Sequence, residues 1–207
     1  MLTIDWNWVK KEAVRRERIK NAAIRKAFRE ALKEARGLAR PKAVSTTIDI
    51  PSLKFKSGKL AHYLRCAEEA RVFLVTIGPR LERAATEHMS SGDALGGYFL
   101  DKIGSLAAES LAESFEKDLR KAMARKKRSV SSRFSPGYCD WPIEEQFGLD
   151  RILKFRKAGV RLTRSCMMVP RKSISGILGI GPEGAYTKTG SLCAKCDKKD
   201  CSYRRTF

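Results

Sequence analysis

The chain has 207 residues, enough for one domain with a substantial core. Its 43 Lys and Arg residues against 23 Asp and Glu leave a net charge of +20, which predicts attraction to acidic partners, whether nucleic acid, anionic membrane or acidic protein. No apolar run approaches the ~20 residues that span a bilayer, and no apolar N-terminal secretion signal is evident. A cytoplasmic protein without a membrane partner is therefore expected, with its six cysteines as thiols or metal ligands in preference to disulfides.

Residues 8–36 carry a helical pattern, with Ile24, Phe28, Ala31, Leu32 and Ala35 at three- and four-residue spacing. The other faces are basic, including Lys10, Lys11, Arg15, Arg16, Arg18, Lys20, Arg25, Lys26 and Arg29. Such a helix, in an N-terminal segment 1–40, suits either packing on the domain or docking to a partner or nucleic acid. Residues 43–50 alternate Val44, Thr46, Ile48 and Ile50 and predict a half-buried strand. A short helix is expected over 60–70, turning Leu60, Tyr63, Leu64 and Ala67 inward, with His62 at the surface and Cys66 in the core. The run Val72-Phe73-Leu74-Val75 within 71–77 predicts a strand buried on both faces. Helical periods follow from Leu81 to His88 and again over 93–126, the second as one helix or two divided near Gly96-Gly97 or Gly104. Glu109 and Glu113 sit four apart there, to be solvated, paired with Lys117 or Arg120, or turned into a pocket.

Arg133-Phe134-Ser135-Pro136-Gly137-Tyr138-Cys139-Asp140-Trp141-Pro142 then breaks the helical pattern. Pro136-Gly137 is a turn signal, Arg133 offers a planar fork of donors, and Tyr138 adds a ring and a hydroxyl. The stretch suits a pocket for a small zwitterion, or else is an ordinary loop with an exposed arginine. Asp140 and Pro142 read as the start of another helix that ends at Gly159. Strands are expected over 160–168 and 174–180, joined by a hairpin-like connection at 170–172, with Gly176, Gly179 and Gly181 marking bulges or close backbone approach. The predicted fold class is α+β: a twisted antiparallel sheet packed against helices, with the long basic N-terminal helix in front. Cys193, Cys196 and Cys201 form a compact cluster in a tail over 191–207, one ligand short of a closed tetrahedral site. Zinc or an iron-sulfur cluster would suit them, with Cys139, Cys166, water or another chain completing the set.

The Arg133–Tyr138 element, Thr163-Arg164-Ser165-Cys166-Met167-Met168-Val169-Pro170 and Ser173-Ile174-Ser175-Gly176 together resemble, in order and spacing, the S-adenosylmethionine-binding activation domain of cobalamin-dependent methionine synthase. The resemblance covers residues 41–190 and is sharpest over 106–186. It implies that Glu109, Arg133, Ser135, Gly137, Tyr138 and Tyr186 bind S-adenosylmethionine. Arg133 would take the carboxylate, Glu109 the cationic groups, and Ser135 and Gly137 would act through their backbones. Lys127 stands where the family has an acidic residue, and Thr187 where it has a second tyrosine. It further implies a stand-alone accessory role: reductive methylation of a cobalamin presented by a partner corrinoid protein or methyltransferase, with an acidic electron donor such as flavodoxin. The alternative is a basic nucleic-acid-binding protein with a metal-binding cysteine tail, which accounts for charge and cysteines but leaves the ordered motifs unexplained.

Overall fold

The structure, a computed structural model, describes residues 2–19, 21–54, 56–186 and 200. Its helices are α1 (Trp6–Glu17), α2 (Ala22–Leu38), α3 (Gly58–Tyr63), α4 (Arg80–Ser90), α5 (Ala94–Ala124) and α6 (Gln146–Leu153). Its strands are β1 (Lys42–Asp49), β2 (Glu69–Thr76), β3 (Arg128–Val130), β4 (Arg161–Leu162), β5 (Met168–Val169) and β6 (Ser173–Pro182). The fold is α+β, an antiparallel sheet in the order β1-β2-β6-β3 packed with helices. The continuous apolar run of β2 is fully buried from Val72 to Val75, while β1 alternates half-buried and exposed residues as its period of two requires.

Expectations for three stretches of the chain are corrected by local chemistry. The strand expected over 160–168 is instead β4 and β5, an antiparallel hairpin apart from the main sheet. Thr163 closes it: its N–H donates to the Met167 carbonyl at 2.9 Å, and its hydroxyl accepts from Met167 N at 3.0 Å. The reversal therefore falls at 163–167, and 170–172 leads into β6. The fourth strand of the sheet is β3, too short and polar to announce itself in sequence. The single helix expected over 8–36 is two. Arg18 ends α1 in the left-handed region at φ 47°, and the Asn21 side chain restarts the helix by accepting from Ala23 N at 2.7 Å. The helix expected over 60–70 ends at Tyr63, and Cys66 is exposed, not in the core.

The glycines of α5 leave the helix unbroken because they are packing positions. A Cβ on Gly104 would lie 2.7 Å from Leu81 Cδ2, and one on Gly97 would lie 2.7 Å from the Ala85 carbonyl oxygen. Close approach of α4 compensates their poor helix propensity.

The chain forms two compact units. The first contains residues up to 44, 75–115 and 155–174; the second contains 45–74, 116–154 and those from 175 onward. In the first, Asp5 caps α1 and its own N–H donates to Ser110 Oγ of α5 at 2.8 Å, while Phe28 of α2 meets Phe99 of α5 edge-on at 5.5 Å. His88 of α4 bonds Asp93 at 2.7 Å and Glu34 of α2 at 3.1 Å. Among the described residues, no helix is long and apolar enough to cross a membrane.

Candidate functional site

The candidate site grows from the second unit, where the chain leaving β3 lies along β6. Ser131 N donates to the Gly179 carbonyl at 2.9 Å, and Phe134 exchanges two backbone bonds with Ile177 at 2.9 and 2.8 Å. This approach is possible only because Gly176 has no side chain: a Cβ there would stand 2.5 Å from the Phe134 carbonyl oxygen and 2.9 Å from Ser135 Oγ. Ser135 Oγ donates to the Ser175 carbonyl at 2.7 Å, and Ser175 Oγ donates to Gln146 Oε1 at 3.0 Å. A buried polar chain thus joins the arginine motif to the Ser-x-Ser-Gly motif and to α6. Gln146, 3% exposed, escaped the sequence reading because nothing in its neighbourhood marks it as buried.

Arg133 is 4% exposed, so it is no solvated loop arginine. A guanidinium taken out of water must have its donors met by acceptors or an anionic group. Beyond it the chain makes two successive turns. Tyr138 N donates to the Ser135 carbonyl at 3.0 Å, with Gly137 at φ +88° as a type II turn demands, and Trp141 N donates to the Tyr138 carbonyl at 2.9 Å. Gly137 N closes the loop on the Trp141 carbonyl at 2.8 Å. Phe134 and Trp141 are both 2% exposed, their rings 5.9 Å apart, and anchor the loop; Tyr138 stays 36% exposed at its rim.

Asp140 corrects a further expectation. It does not cap the following helix; its carboxylate accepts from Ser57 Oγ at 2.6 Å and Lys59 N at 3.1 Å, at the start of α3. The Ser57 bond, followed by backbone donors, holds the Asp140 carboxyl below its ordinary pKa. Tyr63, at the other end of α3, accepts from Ser132 N at 3.0 Å through its hydroxyl. Its ring lies 5.9 Å from Phe134 and 6.5 Å from Tyr186. In the sequence Tyr63 carries only the signal of a core residue. Tyr186 therefore belongs to the same aromatic row as the arginine motif. Its buried hydroxyl has no hydrogen-bond partner among the described residues, and burial pushes its pKa up to about 12.

The remaining candidates belong to other segments of the chain. Glu109 is half-buried on α5 in the first unit, between the buried Ala108 and Ser110, and Arg120 pairs with Glu116 at 2.7 Å. The threonine-x-serine motif closes the β4–β5 hairpin of that unit, Thr163 Oγ1 and Ser165 Oγ standing 3.0 Å apart. Lys127 takes φ 52° just past α5. Cys193, Cys196 and Cys201 lie outside the described residues, and among the described ones no group of three or more His, Cys, Asp or Glu could hold a metal. Of the two cysteines considered as a fourth ligand, Cys166 is buried and Cys139 exposed.

The second unit of this α+β fold thus brings a buried arginine beside a glycine-dependent turn and a row of aromatic rings. Comparison with known proteins narrows the class. Residues 60–205 match the family of the activation domain of vitamin B12 dependent methionine synthase, and the chain belongs to that family. Among solved structures it is similar to the MetH reactivation domain bound to AdoHcy, with 18% identity, a TM-score of 0.55, and coverage of 89% of this chain and 76% of that one. No curated protein matches.

Proposed function

We propose that the chain binds S-adenosylmethionine, and its demethylated product S-adenosylhomocysteine, at the Arg133 loop of the second unit. There it serves the reductive reactivation of a corrinoid carried by a partner protein or methyltransferase. The observation that carries this reading is the bonded cluster itself. Arg133–Tyr138, Ser175-Gly176 and Tyr186, far apart in sequence, are gathered by the Ser135–Ser175 bond and the Phe134, Tyr63 and Tyr186 rings. Family membership and the AdoHcy bound by the similar reactivation domain support it.

The donor set suits this ligand. Its carboxylate matches the fork of Arg133, and its sulfonium and adenine match aromatic faces such as Tyr138. The ligand supplies the methyl group. The chain's part is orientation, holding the amino-acid end fixed so that the methyl faces the partner's cobalt, where an electron from an acidic donor such as a flavodoxin is also required. The surplus of basic residues favours acidic partners.

Calorimetric titration with S-adenosylmethionine and S-adenosylhomocysteine tests the reading. One-site binding that falls by about tenfold or more in Arg133→Ala, with circular dichroism unchanged, is expected for loss of a charge-assisted pair. Unchanged affinity refutes the Arg133 assignment. Glu109→Ala tests separately the carboxylate that the family resemblance assigns to it.

A second reading, nucleic-acid binding, draws on the exposed Lys10, Lys11, Arg25, Lys26, Arg29 and Lys33 of α1 and α2. A short duplex in the same titration, bound with steep salt dependence while neither small ligand binds, would favour it. Metal or cluster binding by Cys193, Cys196 and Cys201 is a separate proposal, checked by zinc, iron and acid-labile sulfide assays on anaerobically purified protein.

A further inference from the structure

The short helix α3 is bonded at both ends to opposite ends of the Arg133 loop. At its start, Ser57 Oγ and Lys59 N both donate to the Asp140 carboxylate, and Ser57 Oγ in turn accepts from Leu60 N at 3.0 Å. At its finish, the Tyr63 hydroxyl accepts from Ser132 N and the Tyr63 ring packs between Phe134 and Tyr186. From Ser57 to Tyr63 a helix advances only about 9 Å. The segment 132–140, drawn out straight, would reach about 28 Å. Holding its ends at the helix's two termini therefore compels the chain between them to double back, and the two turns at Ser135–Tyr138 and Tyr138–Trp141 are how it does so. The underside of α3 is fixed in its turn: Leu60 and Leu64 are buried, and a Cβ on Gly179 would lie 2.7 Å from Leu64 Cδ2.

We propose that α3 is a clamp that sets the conformation of the Arg133 loop, with Tyr63 and Asp140 as its two positioning residues. Neither needs to touch the ligand. Their effect on binding is indirect: they keep Arg133, Gly137 and Tyr138 in the one arrangement that presents the guanidinium and the ring together. That consequence rests on the S-adenosylmethionine reading; the clamp itself does not.

The test uses the full chain with Tyr63→Phe, which removes one hydroxyl and keeps the ring, and Asp140→Asn, which keeps shape and removes charge. Arg133→Ala is the comparison. Amide hydrogen exchange is followed at Gly137, Tyr138 and Trp141, and S-adenosylhomocysteine affinity by calorimetry. Each clamp variant is expected to speed exchange at those amides by about two- to tenfold, the effect of one lost hydrogen bond, while the amides of β2 stay unchanged. Affinity should fall by a similar factor, and Arg133→Ala should lower affinity more. Unchanged loop exchange in both clamp variants overturns the proposal, as does an affinity loss without any change in exchange. Should the unmodified protein fail to bind S-adenosylhomocysteine, the ligand reading falls and the exchange data still decide the clamp.

Discussion

Gly176→Ala is the sharpest probe of how the site is built. The added methyl would stand 2.5 Å from the Phe134 carbonyl oxygen and 2.9 Å from Ser135 Oγ. Neither obstacle is the end of a flexible side chain in open space; one is backbone and the other is held by its bond to the Ser175 carbonyl. To restore ordinary contact the Phe134–Ser135 segment must retreat by roughly 0.7 Å or more. Overpacking of this kind costs about 1–3 kcal/mol. Weakening the Phe134–Ile177 pair and the Ser135–Ser175 bond adds roughly 0.5–1.5 kcal/mol for each bond lost. With one of those bonds lost, a total of about 2–4 kcal/mol should lower the Tm by roughly 5–15 °C. Denaturant and thermal unfolding followed by circular dichroism would measure it. Gly37→Ala is the internal control, since nothing lies within 4 Å of a Cβ there and Gly37 is in α2, where alanine is the better helix former. That substitution should be neutral or slightly stabilising. A Gly176→Ala protein as stable as the parent, with S-adenosylhomocysteine affinity unchanged, would refute the view that close backbone approach shapes the loop.

Two further outcomes follow from the structure. The Asp93 hydrogen bond, with Glu34 adding to it, raises the His88 pKa above its usual 6.5. The bonds of protonated His88 to Asp93 and Glu34 therefore contribute fully below that value and are lost as pH rises through the raised one. Stability should decline on that climb in the parent and run flatter in His88→Gln, as urea unfolding across about pH 5–8 will read. An equal slope in both refutes it. With Cys193, Cys196 and Cys201 changed to serine, a thiol reagent should label the exposed Cys66 and Cys139 quickly and the buried Cys166 only on unfolding. Rapid labelling of Cys166 would contradict its burial.

Local chemistry made much of the chain legible. The apolar run at 72–75 suits a strand covered on both faces, and the alternation in β1 a half-buried strand. Pro136-Gly137 announced a turn, and Gly176, Gly179 and Gly181 announced tight packing. All three glycines have atoms within 3 Å of where a Cβ would stand. The helical period ran through Arg18 and Asn21 without showing the break, because period records which face is buried, whereas a break depends on which backbone donors a side chain captures. Asp140 misled in the same way: an aspartate before a helix is a good cap, but a hydroxyl and an N–H from α3 reach it instead. The short β3 could not be read because three residues with one apolar side chain carry no periodicity; pairing with β6 makes it a strand.

By itself the sequence determined most of the helical and strand stretches, the turn at Pro136-Gly137, and which ordered motifs the chain shares with the methionine synthase activation domain. Backbone propensity, turn residues and apolar spacing are local properties, and they act over a few residues. The tertiary structure alone decided that Arg133 is buried, that Ser135 bonds to Ser175, that Tyr63 links Ser132 to Tyr186, and that Asp140 belongs to α3. Those are contacts between segments far apart in the chain. Burial and hydrogen bonding depend on what else arrives at the same point in space, and no local pattern encodes that arrival.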